Sequence, residues 1–106
     1  MLGACSKRAQ IEKEIQKQNE QLPMDFGSGM VWTHVDLEGD YVVFTYECPA
    51  EVPTAICSQK DSFRSSFRSA LNSYSTEYKE AGLGIKCIFR SSGGESCDIA
   101  FEKDDL

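Results

Sequence analysis

The chain has 106 residues and a formal net charge of −6 at pH 7. This length fits one domain with a single modest core. The Lys and Arg residues are scattered and form no basic stripe interleaved with aromatic residues, which argues against a nucleic-acid partner. No run of the sequence approaches the roughly 18 apolar residues of a membrane-spanning helix.

The first residues form a short motif, Leu2, Gly3, Ala4 and Cys5. It resembles a lipobox, the signal at which a bacterial signal peptide is cut before a cysteine that then carries lipid. The resemblance implies that residues 1–5 are a signal-peptide remnant with its lipobox, and that Cys5 is the lipid attachment site. Several acyl chains on one cysteine would anchor the protein stably in a membrane. The alternative is an ordinary N-terminus that contains a cysteine.

Residues 6–22 are polar and rich in Glu, Gln and Lys, which favour helices. Ile11, Ile15 and Leu22 share one face and form a thin apolar stripe. The helix is expected to end before Pro23, because the residue preceding a proline is disfavoured in the α region. We interpret residues 6–22 as a helical tether, residues 25–29 as a loop, and residues 23–106 as a single α+β domain.

Two alternating segments on either side of Gly39 and Asp40 predict a β-hairpin. A two-residue loop pairs Leu37 with Val42 and Val35 with Phe44. The same register continues to two further pairs, Thr33 with Tyr46 and Val31 with Cys48. Glycine at the first loop position is what a type II′ turn requires.

Apolar residues at helical spacing follow from about Thr54 to Ala81, and Gly82 is well placed to end the helix. The stripe consists of Ile56, Phe63, Phe67, Ala70, Leu71, Tyr74 and Tyr78. A second hairpin follows, with Ile85, Cys87 and Phe89 on one face of its first strand and Cys97, Ile99 and Phe101 on one face of its second. A three-residue loop would place Cys87 opposite Cys97.

The order of elements predicts an α+β fold: an N-terminal helix, then β-β-α-β-β. We expect a four-stranded, largely antiparallel sheet with one long helix, around residues 63–78, packed on its inner face. If the four strands are numbered along the chain, the spatial order 2-1-3-4 keeps every neighbour antiparallel.

The cysteines other than Cys5 number four, which outside the cytosol indicates two disulfides. Four cysteines allow three pairings, and the sequence does not choose among them. The preferred interpretation is Cys48–Cys57 with Cys87–Cys97, and Cys57–Cys97 is its rival. Free buried thiols are the expectation if the protein is cytosolic.

Catalytic and metal-binding patterns are lacking in the sequence. His34 is the single histidine, so triads and most zinc sites lose their usual base or ligand. The cysteine spacing is unlike that of zinc-binding pairs, and no motif for a nucleotide or other cofactor occurs. We therefore expect a non-catalytic protein without metal or cofactor.

The outer face of the predicted sheet is more apolar than an ordinary solvated face. It is predicted to carry Trp32, His34, Tyr41, Val43 and Ile88. Trp and Tyr are enriched where proteins meet partners, so this face is a candidate binding surface with Trp32 as its anchor. The alternatives are that the N-terminal helix covers the face, or that isolated apolar residues there have no function.

From Asn19 onward the chain resembles small secreted or lipid-anchored bacterial proteins of unassigned function. The carriers are Asn19, Leu22-Pro23-Met24-Asp25, Phe44-Thr45-Tyr46, Cys57 and Ser96-Cys97-Asp98. Such proteins commonly have a tyrosine-rich strand where this chain has residues 85–89. The resemblance implies an envelope location and an α+β domain, and it supplies no catalytic residue.

Two functional classes follow. The first is a lipid-anchored module of the bacterial envelope, held in the membrane through Cys5 and binding another envelope protein by its sheet face or its acidic surface. The second is a small secreted inhibitor of a hydrolase. An inhibitor should present a protruding loop, for which residues 25–29 and 91–95 are the candidates.

Overall fold

Four helices and five strands make up the computed structural model, which describes residues 3–27, 29–70 and 72–102. The elements are α1 (Gly3–Glu20), β1 (Met24–Asp25), β2 (Val31–Glu38), β3 (Tyr41–Glu47), α2 (Glu51–Ser58), α3 (Lys60–Ala70), α4 (Asn72–Glu80), β4 (Gly84–Arg90) and β5 (Ser96–Phe101). Met1, Leu2 and Leu71 lie outside the described residues, as do the side chains of Cys5, Ala70 and Tyr74.

The sheet is mixed, and its spatial order is β1-β2-β3-β4-β5. Every neighbouring pair is antiparallel except β3 and β4, which are parallel. The α2–α4 segment connects these two strands, as a parallel pair requires a crossover that returns the chain to the starting end. The α+β class is confirmed, but the four-stranded, largely antiparallel sheet is replaced by a five-stranded mixed sheet.

The predicted strand order 2-1-3-4 is wrong in one neighbour. It placed the strand that is now β4 beside β2, whereas β4 pairs with β3. The free edge of β2 is taken by β1, where Met24 pairs with Trp32 and Asp25 with Val31. The β1 strand has two residues and lies next to β2 in the chain, so it reaches that edge over a short connection.

The first hairpin is confirmed near its turn and shifted beyond it. Glu38 pairs with Tyr41, and Val35 pairs with Phe44 as predicted. Gly39 has a φ of 60°, and no other residue type among those described has a positive φ, so Asp40 keeps the negative φ of a type II′ turn.

A bulge between Trp32 and His34 then changes the register of this hairpin. Trp32 pairs with Tyr46 and Val31 with Glu47, so the predicted pairs Thr33–Tyr46 and Val31–Cys48 do not form. One extra residue in a strand turns all later side chains to the opposite face. Trp32 consequently lies on the same face as Val35.

The helical tract between β3 and β4 is three helices where one was predicted. The first break is at Gln59, whose φ of −125° and ψ of 41° are not helical. The apolar stripe still faces the sheet: Ile56 and Tyr78 are buried, and Phe63 and Phe67 pack against the core. The stripe therefore sets which face of the helical tract is buried, although the tract is broken into three helices.

The α1 helix packs against the domain, over β2 and beside α4. Ile11 and Ile15 are 2% and 8% exposed and belong to the same core cluster as Val35 and Phe44. Residues four apart share one face of a helix, which is why these two isoleucines are buried together. All four helices therefore cover one face of the sheet and leave the other face open.

The second hairpin keeps its predicted faces but not its register. Phe89 pairs with Cys97, and Cys87 pairs with Ile99. The connecting loop has five residues, 91–95, where three were predicted. The shift is two residues, so the inward side chains stay inward.

The single disulfide of the described residues joins Cys57 to Cys97, and Cys48 and Cys87 are free and buried. The preferred pairs Cys48–Cys57 and Cys87–Cys97 are therefore wrong, and the rival pair forms. Cys87 lies two rungs from Cys97 on the ladder. Cys48 follows Glu47, which pairs with Arg90, so it lies four residues along the sheet from Cys87. The separation of about 13 Å between Cys48 and Cys87 is too long for a disulfide to join these two free cysteines.

Candidate functional site

A groove of about 700 Å³ lies on the helical face of the sheet. One wall is the C-terminal half of α1, and Phe67 of α3 and Tyr78 of α4 lie at the other margins. The floor consists of Val35, Phe44, Tyr46 and Trp32. The wall beside α1 consists of Glu14, Ile15, Lys17, Gln18 and Gln21. Ligand sites are usually of this size, with an apolar lining and few polar groups.

The floor is a network of aromatic rings. Trp32 meets Phe44 edge to face, with ring centroids 5.7 Å apart, and stacks on Tyr46 at 6.3 Å. Tyr46 in turn stacks on Phe89 at 5.1 Å. The indole Nε1 of Trp32 donates to the carbonyl oxygen of His34 at 2.9 Å, so its polar atom is satisfied. What remains exposed to the groove is apolar ring surface.

The loop between β1 and β2 holds Phe26 at the mouth of the groove. Phe26 is 50% exposed and is the large apolar side chain that the described residues leave exposed. Its ring centroid lies 6.2 Å from that of Tyr46. The Phe26 amide donates to the Met30 carbonyl, and the Asp25 carboxylate accepts from the Gly27 amide. Gly27 has a φ of 85°, which glycine adopts without the strain of a side chain.

A second, smaller cavity of about 330 Å³ lies between α1 and α4. It is lined by Lys7, Gln10, Ile11, Glu14 and Glu77, so its surface is mainly polar and charged. It lacks the aromatic floor of the groove, and we regard the groove as the candidate site.

The outer face predicted as a binding surface is divided by the structure. His34, Tyr41, Val43 and Ile88 do lie together on the open side of the sheet, as the register of β2, β3 and β4 requires. Trp32 does not, because the bulge places it in the groove. Val43 is 4% exposed, so neighbouring side chains already cover it. The predicted anchor of the outer face is thus a residue of the opposite face.

Polar pairs cover much of the remaining outer face. Arg90 donates to the Glu47 carboxylate across the parallel pair, at 3.1 Å. The Tyr41 hydroxyl donates to the Glu102 carboxylate, and this hydrogen bond raises the pKa of Tyr41. Such a face is satisfied in water, and no large apolar side chain on it is exposed among the described residues.

The groove is lined by apolar and aromatic side chains with a polar α1 margin. Across the described part of the chain, no group of three or more His, Cys, Asp or Glu side chains could hold a metal ion. No described helix is both long and apolar enough to cross a membrane. Glu14 and Lys17 lie on the α1 wall, and the floor has no ionisable side chain besides Tyr46. The groove can therefore shield apolar side chains of a partner from water.

Comparison with known proteins extends to structure alone, since no family model and no curated protein sequence matches the chain. A Pseudomonas aeruginosa protein inferred to be secreted has 15% identity and a TM-score of 0.72, covering 93% of this chain and 95% of that one. The pilotin EpsS of the Vibrio vulnificus type 2 secretion system has 14% identity and a TM-score of 0.68, covering 96% and 93%. The type II secretion pilotin AspS of Vibrio cholerae has 17% identity and a TM-score of 0.51, covering 96% and 97%. At these identities the likeness shows a shared fold.

The groove was not predicted from the sequence. Its floor residues were assigned to the core or, in the case of Trp32, to the other face. Its walls come from α1 and α3, which are far apart in the chain. Phe26 was the one local signal, an aromatic residue in a loop next to two glycines.

Proposed function

We propose that this chain is a lipid-anchored, non-catalytic interaction module of the bacterial cell envelope. The observation that carries the proposal is the aromatic groove, which is open to solvent although its floor is apolar. The lipobox-like motif ending at Cys5 supports the anchor. The shared fold with two type II secretion pilotins supports an envelope role.

An amphipathic helix is the partner segment that best fits the groove. The α2 helix lies over β4 and β5, while α1 lies over β2. Asn19, near the end of α1, bonds the backbone of Val35 on the side of β2 away from β3. The groove runs between α1 on one side and Phe67 of α3 and Tyr78 of α4 on the other, over its aromatic floor. An amphipathic helix laid along the groove would place its apolar side on this floor.

The partner we propose is another envelope protein, and a component of a type II secretion system is the first candidate to test. The likeness to the pilotins suggests this class, and the aromatic floor beside α1 suggests the form of the segment. No observation favours the hydrolase inhibitor. Of its two candidate loops, residues 25–29 include Phe26, which lines the groove. In the other loop, residues 91–95, the Ser91 hydroxyl donates a hydrogen bond to the Glu95 carboxylate, which connects the first and last residues of the loop.

The test begins with a photo-crosslinking residue at Phe67 in the acylated protein in cells, followed by identification of the crosslinked segment. A synthetic peptide of that segment is then titrated, with Trp32, the single tryptophan, as the fluorescent reporter. We expect Phe26→Ser to weaken peptide binding about tenfold, because it removes an exposed aromatic contact of about 1.4 kcal/mol.

The matched control is Ile88→Ser on the outer face, which should leave the peptide affinity unchanged. Thermal midpoints of both variants show that any loss of binding is not a loss of folding. If Ile88→Ser abolishes binding and Phe26→Ser does not, the partner binds the outer sheet face and the groove proposal is wrong.

A further inference from the structure

The chain makes contact with the domain almost immediately after Cys5. Lys7 Nζ lies 2.6 Å from the Glu80 carboxylate at the end of α4. Arg8 Nη2 donates to the Gly39 carbonyl oxygen at 2.6 Å, in the turn between β2 and β3. Ile11, one turn further, is 2% exposed. Only Ser6 separates the proposed lipid attachment site from the first of these contacts.

These contacts identify one end of the molecule, which we call the base: Lys7, Arg8, Gly39, Asp40, Glu80 and Glu102. The Gly84 amide, at the start of β4, donates to the Asp40 carbonyl. The Tyr41 hydroxyl, at the start of β3, donates to Glu102, which follows β5. The ends of α4, β2 and β5 and the starts of β3 and β4 therefore meet beside the start of α1.

The groove begins beside Glu14 and Tyr78, above the base, and extends toward the opposite end of the molecule. Gln18 of the groove wall is thirteen residues after Cys5, about 20 Å along a helix that rises 1.5 Å per residue. Trp32 precedes Gly39 by seven residues, about 23 Å along a strand. The helix and the strand therefore give similar, independent values for the distance between the base and the far end of the groove.

We infer that the base is the membrane-facing surface of the protein and that the far end of the groove, at Gln18 and Trp32, is held about 20 Å above the headgroups of the bilayer. This inference rests on the proposed lipid anchor at Cys5. Its partner is the phospholipid headgroup layer. The two residues from Cys5 to Lys7 reach at most about 7 Å when extended, so the base cannot leave the surface. In a molecule 47 Å long, so short a tether also restricts tumbling.

Tether length, and not charge, sets this orientation. Lys7 is paired with Glu80, and Arg8 lies 3.8 Å from Asp40, so the base offers no unbalanced positive patch to anionic lipid. Exposed ion pairs of this kind contribute little to stability. The burial of Ile11 and Ile15 is what fixes α1 to the sheet.

The experiment measures the height of two tryptophans above the bilayer. The acylated protein is purified from membranes and reconstituted into phosphatidylethanolamine–phosphatidylglycerol vesicles whose headgroups carry a nitroxide quencher. Trp32 reports the groove in the natural chain. Glu38→Trp, in a Trp32→Phe background, reports the base, because Glu38 is exposed next to the hairpin turn. Acrylamide quenching confirms that both tryptophans are accessible.

We expect the tryptophan at position 38 to lose most of its emission to the headgroup quencher and Trp32 to keep nearly all of its own. Inserting about ten Gly and Ser residues between Ser6 and Lys7 adds a flexible segment with an r.m.s. length of about 18 Å to the tether and should abolish the difference. Quenching of Trp32 would show the groove against the membrane and overturn the inference. So would the absence of quenching at both positions, or an effect that survives the insertion.

The inference and the proposed function fail separately. Peptide binding in the groove is measured on the unacylated Cys5→Ser chain and needs no membrane. A chain that carries no acyl group at Cys5 overturns the anchor and the orientation together, while leaving the groove assay standing. A positive groove assay with quenched Trp32 contradicts the orientation alone.

Discussion

Asn19 joins the end of α1 to the sheet through its side-chain amide. Its Nδ2 donates to the Val35 carbonyl oxygen at 2.6 Å, and its Oδ1 accepts from the Val35 amide at 3.1 Å. These backbone groups lie on the edge of β2 beyond the short strand β1. An open strand edge invites pairing with other chains, and the carboxamide occupies it as one residue of a neighbouring strand would.

The change Asn19→Ala should lower the free energy of unfolding by about 2 kcal/mol, because two neutral hydrogen bonds of about 1 kcal/mol each are lost. Urea denaturation measures this loss of stability, and faster amide exchange at Val35 shows where in the structure it occurs. Gln16→Ala, at an exposed position on the same helix, should change stability by less than about 0.5 kcal/mol. Equal effects of the two substitutions would contradict the role assigned to Asn19.

Cys87 is a second residue whose environment makes a testable difference. It is 0% exposed, and this burial raises the pKa of its thiol to about 12 from an ordinary value of 9.0. The folded state therefore holds the proton more tightly than the unfolded state. The stabilisation is fully present below pH 9 and declines as the pH rises toward 12.

We expect the stability difference between the natural protein and Cys87→Ala to shrink by up to about 1.4 kcal/mol per pH unit above pH 9. The alanine variant has lost the titrating group and shares all the others, so the comparison cancels the tyrosines and lysines. Denaturant melts at several pH values measure it. Parallel pH profiles for the two proteins would show that the Cys87 thiol does not carry this dependence.

At the scale of elements, the disulfide between Cys57 and Cys97 ties α2 to β5. Its partners are 40 residues apart in sequence. Closing a loop of this length in the unfolded chain corresponds to about 4 kcal/mol on a chain-entropy model. Cys57 is exposed and Cys97 is buried, so reduction leaves one thiol in the core.

Cys57→Ser should therefore reduce the free energy of unfolding by about 2–4 kcal/mol. Alkylation of the unfolded, unreduced protein should modify Cys48 and Cys87 and spare Cys57 and Cys97. A mass that showed Cys48 oxidised would contradict the pairing. The matched control is Cys48→Ser, which removes a free thiol and should leave the disulfide intact.

Local chemistry explains which elements the sequence could predict. The turn at Gly39 and Asp40 was predicted with its nearest pairs, because glycine at the first loop position specifies both turn type and register. The bulge beyond it was not, since the alternation of apolar and polar residues runs through Thr33 without a break. Trp32, the anchor of the predicted binding surface, was therefore assigned to the wrong face of the sheet.

Contacts between distant segments explain most of the remaining differences. The direction of β4 relative to β3 follows from the intervening helical tract, and the prediction had it right. Which strand β4 pairs with depends on which edge of the first hairpin is free. The β1 strand occupies the edge of β2, and with two residues it is too short to be recognised from the sequence pattern. The disulfide follows from that order, because Cys97 lies on the edge strand over which α2 packs.

At the scale of the whole molecule, the groove is a gap in the helical layer. The α1 and α3 helices each bury their own apolar stripe, and the groove runs between them over an aromatic floor. No single segment contains this information, so no motif could have predicted it. The fold shared with the pilotins at 14–17% identity shows that very different sequences reach this fold.

Net charge distinguishes the groove from the acidic surface as the place where a partner binds. The chain has a formal charge of −6, but the groove wall has one acidic and one basic side chain, Glu14 and Lys17, over an aromatic floor. Burial of apolar surface is not weakened by salt, whereas attraction between exposed charges is screened within about 10 Å at 0.1 M salt.

The affinity of the groove for the crosslinked peptide should therefore change by less than about twofold between 50 and 500 mM NaCl. Fluorescence titrations at constant pH measure it, with Phe26→Ser as the groove variant at each salt concentration. A steep loss of affinity with salt that Phe26→Ser does not alter would place binding on the acidic surface.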